Sequence, residues 1–223
     1  EDISNNNNVS IKIKRNEQII EKIIEKAKIP VKTMDYKITD DNIGIITLAT
    51  IMGENAINDF IEIIKITNDT KALIIDLRDN YGGILSNAIE MANYMLNNKQ
   101  IVSITKGNRK LQIYSDNESI FKNKQIIIMV NRNTASAAEI LAGTLKDNLN
   151  AVIIGENTYG KNSIQQIIPM SENSGLTITT NKYILPNGED IYNRGITPDI
   201  KLNKKELTIN NAIKLVNGIV KNK

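Results

Sequence analysis

Ser136 and Lys161 carry the side chains that could do covalent chemistry in this chain, because the usual nucleophile–base pairs are missing. The 223 residues include no histidine and no cysteine. A Ser-His-Asp triad, a cysteine nucleophile and a histidine-rich zinc site are therefore excluded. A serine nucleophile would have to take its base from a lysine, a carboxylate or a terminal amine. Ser136 lies in Asn131-Arg-Asn-Thr-Ala-Ser-Ala-Ala-Glu139, directly after the apolar run Gln125-Ile-Ile-Ile-Met-Val130. That run reads as a buried strand. Ile140, Leu141, Thr144 and Leu145 then follow at helical spacing, which predicts a helix over 137–146 and puts Ser136 where strand turns into helix. The first N–H groups of a helix lack intrahelical partners and sit at its positive end, a place where an oxyanion can be held. The local pattern alone is weak, since Ser and Thr are common helix N-caps.

The wider spacing is more specific. Asn133-Thr-Ala-Ser-Ala-Ala-Glu-Ile-Leu-Ala-Gly143, then Gly155-Glu-Asn-Thr-Tyr-Gly-Lys161, then Gln165, follow an upstream Asp76-Leu-Arg-Asp-Asn-Tyr-Gly-Gly83. In order and spacing these four motifs resemble those of the C-terminal processing peptidases, also called tail-specific proteases. The resemblance runs from about residue 43 to about residue 200. It implies a Ser–Lys dyad: Ser136 as nucleophile, Lys161 as general base 25 positions later, and Gln165, four positions beyond, as the residue that orients the lysine. It implies no cofactor and no metal.

The chemistry of each residue is consistent with those roles. A serine hydroxyl attacks poorly until a base takes its proton. An exposed lysine, with a pKa near ~10.4, is protonated at neutral pH. Burial away from other cations disfavours the charged form, and a working base needs a pKa nearer ~7–8. Tyr159, Gly160 and Ile164 are compatible with a partly apolar pocket around Lys161. Outside this setting a lysine is usually solvent-exposed. Gln165 can accept from the ammonium and donate elsewhere. A carboxylate in its place would favour the charged lysine, so a neutral orienter is expected. Its bland counterpart is a strand glutamine facing water, as Gln166 is expected to be.

Gly82 and Gly83 follow the buried run 72–76, where a tight turn into a helix needs glycine. Through the resemblance they also imply an oxyanion hole, with one backbone N–H from Gly82 or Gly83 and one from Ala137. Asp76, Arg78 and Asn80 are expected to hold the loop by hydrogen bonds. Glu139 is expected to be structural, a carboxylate in the first turn of a helix. Three residues depart from the family pattern. Tyr81 replaces a proline, Ala138 replaces a serine that is not the nucleophile, and Asn162 replaces a glycine after the lysine. If position 162 requires positive φ, asparagine is among the better substitutes.

The remaining sequence sets the frame for these residues. Hydrophobic residues make up 41% and the formal net charge is +3, with Lys and Glu interspersed, so no nucleic-acid footprint is expected. No apolar run reaches the length of about 18 residues that suggests a membrane span. The start, Glu1-Asp-Ile-Ser-Asn-Asn-Asn-Asn8, is polar and reads as a loop or frayed end, with no signal peptide visible. Val9 to Arg15 alternates as a strand does. Ile19, Ile20, Ile23, Ile24 and Ala27 fit an amphipathic helix, but the β-branched isoleucines also suit a strand after a turn at Asn16-Glu17. The resemblance favours the strand, as the end of a PDZ-like domain. Further strands are expected over 36–39, 43–48, 72–76, 100–105, 112–114, 125–130, 151–154 and 176–185, and helices over 55–67, 84–96 and 206–220. Runs 72–75, 126–130 and 151–154 are expected to be neighbours in one sheet.

Strand–helix alternation gives an α/β class. The resemblance makes this a crotonase/Clp-protease-like core over residues 31–223, preceded at 1–30 by a partial PDZ-like segment. It implies a serine endopeptidase acting on proteins or peptides with apolar C-terminal tails, placed extracytoplasmically in the cell envelope. A homo-oligomer is compatible with the sequence. Two other readings were weighed against it. A catalytically silent, tail-binding relative would be expected to have lost Ser136, Lys161 or Gln165, and all three are present. Acyl-CoA chemistry rests on fold analogy alone.

Overall fold

A computed structural model of the chain describes residues 7–27, 32–53, 55–122, 124–171 and 174–221. The chain divides into two units, Glu1–Val31 and Lys32–Lys223. In the first, β1 (Asn8–Arg15) pairs antiparallel with β2 (Gln18–Glu25), Arg15 opposite Gln18. Asn16 and Glu17 both take positive φ, 47° and 64°. Two such residues make the tight turn whose twist matches a hairpin. The helical alternative for 17–28 is thus overturned over residues 18–25: strand pairing and β-branching win over the helical spacing. The polar start at 1–6 and the boundary at 28–31 lie outside the described residues.

The second unit contains β3 (Met34–Ile38), β4 (Ile43–Leu48), α1 (Ala56–Thr67), β5 (Ala72–Asp76), α2 (Leu85–Met95), β6 (Gln100–Lys106) and β7 (Arg109–Tyr114). It continues with β8 (Gln125–Val130), α3 (Ala137–Leu149), β9 (Val152–Gly155), β10 (Ser163–Pro169), β11 (Gly175–Ile184), β12 (Ile200–Lys201) and α4 (Ile209–Lys221). Six strands form one sheet in the order β12-β9-β8-β5-β4-β3. All neighbours are parallel except β3 against β4. The three apolar runs expected to be neighbours, β9, β8 and β5, are adjacent at its centre.

Alternation along these strands feeds two cores. Leu73, Ile75, Ile126, Ile128 and Val130 face the core shared with Phe60, Ile64, Met91 and Leu141 of the helices α1, α2 and α3. Ile74, Ile127 and Met129 face the opposite core, closed by Leu207 and by Ala212 and Val216 of α4. Burial on both faces is why these strands read as unbroken apolar runs. Helix α4 begins later than expected because Thr208 starts it: its Oγ1 accepts from Asn211 N–H at 3.2 Å, and its carbonyl accepts from Ala212. The two-residue β12 is too short to leave a pattern in sequence.

A second, antiparallel sheet runs β10-β11-β6-β7. The long arm β11 pairs with β10 along its outer part and with β6 at Tyr183–Ile104 and its neighbours. This sheet carries the segment around Lys161 to the end of the larger sheet where β5 and β8 finish.

Buried Asn80 ties that end together. Its side chain donates to Leu48 O at 2.9 Å and accepts from Gly82 N–H at 2.8 Å, while its carbonyl accepts from Ala135 N–H at 3.0 Å. Asp76 is paired bidentately with Arg78, which also donates to Leu207 O at 2.7 Å. Asn80→Ala leaves two buried backbone groups without partners. Thermal or denaturant unfolding should show a loss of about 2–6 kcal/mol, at ~1–3 kcal/mol for each unsatisfied group.

Candidate active site

Ser136 sits between β8 and α3, as expected, but in a conformation the sequence does not announce. Its φ is 56° and its ψ is −121°. A non-glycine residue in so sparsely populated a region costs on the order of 1–3 kcal/mol and persists only where its surroundings dictate it. Those surroundings are on every side. Ser136 N–H donates to Glu139 Oε2 at 2.8 Å, and Ser136 O accepts from Glu139 N–H and Ile140 N–H. Thr134 Oγ1 donates to Leu77 O at 2.8 Å and accepts from Asn131 N–H. The Asp79 carboxylate accepts from the side chains of Asn131 and Asn133, and those two bonds hold it below the ordinary carboxylate range, Asn133 contributing most. The glycine turn closes against the same loop. A Cβ on Gly82 would lie 2.7 Å from Ala135 O, and one on Gly83 would lie 2.5 Å from Ile51 C. Only glycine lets these two backbones approach.

The structure brings Ser136, Lys161, Gln165, Gly83 and Ala137 to one pocket of about 440 Å³. Lys161 is half-buried, and its Nζ donates to Gln165 Oε1 at 3.4 Å. Among the described residues Lys161 has no ion pair, and its amine makes no hydrogen bond to Ser136. Gln165 is exposed, at a β-bulge where the β10–β11 register shifts between Ile164 and Gln165. Of the residues expected around Lys161, Ile164 lines the pocket. Tyr159 is 65% exposed and outside the lining, and Gly160 packs on the backbone of Ile191 and Gly195.

Gly82 and Gly83 differ in what their N–H groups do. Gly82 N–H is taken by Asn80 Oδ1, and Gly82 does not line the pocket. Gly83 lines it, and the neighbouring bonds to Ile51 use Gly82 O and Ile84 N–H, not Gly83 N–H. The Ala137 N–H is the first of helix α3 and has no intrahelical acceptor. Two backbone donors, from Gly83 and Ala137, thus stand beside Ser136 with no protein partner among the described residues.

Sequence reasoning undervalued two residues. Glu139 is fully buried and does far more than complement a helix dipole. Its Oε1 accepts from Thr158 Oγ1 at 2.5 Å and Gly160 N–H at 2.7 Å; its Oε2 accepts from Lys161 N–H at 3.0 Å and Ser136 N–H at 2.8 Å. Burial pushes its pKa up, against the pull of these four bonds. Four converging donors make the cavity one for a carboxylate. The second residue is Tyr183, whose hydroxyl reaches the carbonyls of both Lys161 and Ser136. Neither is identifiable from local pattern, because the partners lie 22 and 47 positions away. Asn162 also differs from expectation. It is buried without positive φ, and its Nδ2 donates to Asp190 Oδ1 at 2.8 Å, so the departure from glycine there is accommodated by a side-chain bond.

The sequence and the fold match those of a known class. The profile of peptidase family S41 matches residues 42–202, and the chain belongs to that family. It is 40% identical over 166 residues to the chloroplastic carboxyl-terminal-processing peptidase 2 of Arabidopsis thaliana, covering 73% of this chain and 32% of that one. It is 34% identical over 198 residues to a probable CtpA-like serine protease of Staphylococcus haemolyticus, covering 87% of this chain and 40% of that one. The solved photosystem II D1 C-terminal processing protease superposes with a TM-score of 0.71 at 25% identity, over 91% of this chain and 57% of its own. The chain spans two-fifths or less of the length of these two curated relatives.

Glu139→Gln keeps the shape but presents an amide NH2 to two of the four donors. It should cost about 2–6 kcal/mol by the same reckoning of unsatisfied buried groups. Denaturant unfolding measures the loss, and a wild-type midpoint would show that the carboxylate is not the hub.

Proposed function

We propose that this protein is a serine endopeptidase that cuts protein substrates near their C-terminus with a Ser136–Lys161 dyad. The observation that carries the reading is the convergence on one pocket of a strained serine, an unpaired lysine with a neutral orienter, and two uncommitted backbone N–H groups. Ser136 Oγ attacks the scissile carbonyl while the neutral Lys161 amine takes its proton. Gly83 and Ala137 N–H receive the developing oxyanion, and Gly82 serves only to let the two backbones approach. The Lys161 ammonium then protonates the departing amine, leaving an acyl-enzyme on Ser136. Lys161 next activates the water that hydrolyses it. Gln165 holds the lysine side chain toward the serine. The bond between Ser136 and Lys161 forms when substrate enters, as catalytic contacts often do.

Apolar tails suit the pocket. Ile84, Leu85, Ile140, Ile164 and Ile167 supply its walls, and among the described residues Lys161 is the only charged one lining it. A cationic substrate side chain would find no counter-ion among them, whereas an aliphatic one would gain about 25 cal/mol per Å² buried. We also read the core over 31–223 as crotonase-like. The hairpin β1–β2 is read as the end of a PDZ-like domain, since Ile19 and Ile23, 70% and 75% exposed, are an apolar load that a lone hairpin cannot bury.

The test is cleavage of a denatured protein with an apolar C-terminal tail. Ser136→Ala and Lys161→Ala should each lower the rate by at least ~10²–10⁴-fold, and the double variant should be little worse than either, because the groups act as a unit. Lys161→Arg should fail too, since a guanidinium does not give up its proton. Gln165→Ala should leave a reduced, measurable rate. Only the neutral amine can act as base, so activity should rise with pH. Near-normal turnover by Lys161→Ala would sink the dyad and bring a tail-binding protein forward.

A further inference from the structure

We propose that Tyr183 is a positioning residue for this reaction: its hydroxyl fixes the two main-chain segments from which the nucleophile and the base project. The inference rests on the peptidase reading above. Tyr183 stands on β11 and is 1% exposed. Its single O–H donates to Lys161 O at 2.7 Å, with Ser136 O at 3.2 Å sharing the same hydrogen more weakly. Its own N–H donates to Asn162 O at 2.9 Å, which anchors β11 beside the base segment. Glu139 completes the arrangement from the N–H end of each of these residues. One oxygen, Oε2, accepts the N–H of Ser136 at 2.8 Å and of Lys161 at 3.0 Å. Nucleophile and base are therefore each held at N–H by the same carboxylate and at C=O by the same phenol.

The consequence is geometric. Ser136 and Lys161 belong to different segments, one leading into α3 and one into β10; one main-chain bond, Tyr159 N–H to Thr134 O at 2.9 Å, joins the segments, and the Tyr183 and Glu139 side chains hold the two residues themselves. A misplacement of about 1 Å between reacting groups can cost on the order of 10²-fold in rate. The phenol is suited to a fixed role. Burial, with Glu139 and Asp190 nearby, holds its pKa well above the usual tyrosine range, so it remains a donor at neutral pH. The ring also forms part of the pocket wall, and that function is separable from the hydroxyl.

Tyr183→Phe separates them, keeping the ring and deleting only the donor. The full chain, its Tyr183→Phe variant and a Thr144→Val variant are compared on the apolar-tailed substrate. Rates are expressed per serine that reacts with a fluorophosphonate. Thr144 serves as the control because it also loses one buried hydroxyl bond, 2.7 Å to Ile101 O, away from the site. Tyr183→Phe is expected to lower kcat by about 10–100-fold with KM unchanged, while Thr144→Val keeps kcat. A wild-type kcat for Tyr183→Phe overturns the proposal and assigns Tyr183 to the wall alone. An equal fall in both variants also overturns it, because the loss is then one of general stability. If the wild-type chain neither cleaves nor labels at Ser136, the peptidase reading fails and this inference goes with it.

Discussion

The carboxylate of Glu139 is buried without a cation in salt-bridge reach among the described residues, and it is held by neutral donors alone. Burying an isolated charge is costly unless every lone pair is answered, and here two oxygens meet four donors. Those donors come from the nucleophile position and from the Thr158–Lys161 segment, so satisfying the carboxylate obliges the two segments to meet. Thr158 extends the connection, because its Oγ1 also accepts from Ile196 N–H at 2.6 Å. The site is thus assembled around the desolvation of one acid. The approach of serine and lysine follows from answering that charge.

The larger sheet supplies the rigid side of this arrangement. β5 and β8 are parallel neighbours buried on both faces, and their ends present the Gly82-Gly83 turn and the Ser136 loop next to each other. Asn80 spans β4, the glycine turn and the serine loop with hydrogen bonds that leave little slack. Strain at Ser136 is tolerable in that setting because the packed sheet, the Glu139 bond and the glycine contacts all oppose its relief. The same close approach leaves the N–H groups of Gly83 and Ala137 at the pocket with no partner among the described residues.

The smaller sheet supplies a wall of the pocket. Its edge strand β10 begins just after Lys161 and places Gln165 at a bulge, so that side chain departs from simple alternation. The match to peptidase family S41 covers this sheet and all of the larger one except β3, since it runs from residue 42 through residue 202.

Much of the fold and most of the residues that line the candidate site were legible in the sequence. The unbroken apolar runs of β5, β8 and β9 betray strands buried on both sides. The lack of histidine and cysteine leaves few bases for a serine. The spacing of Ser136, Lys161 and Gln165 is a property of the chain alone. What the chain alone left open was decided by contacts between distant segments. Residues 18–25 fit helix and strand equally until pairing with β1 chose the strand. Gly82 and Gly83 are equivalent as letters, and they part only because Asn80 occupies one N–H. Glu139 and Tyr183 look like an ordinary helix-start acid and an ordinary strand aromatic. Their roles arise because burial removes water as a partner, and the only replacements are main-chain groups brought in from segments far along the sequence. Periodicity reports which face of an element is buried, but not which distant polar atom waits there, and that choice belongs to the tertiary structure.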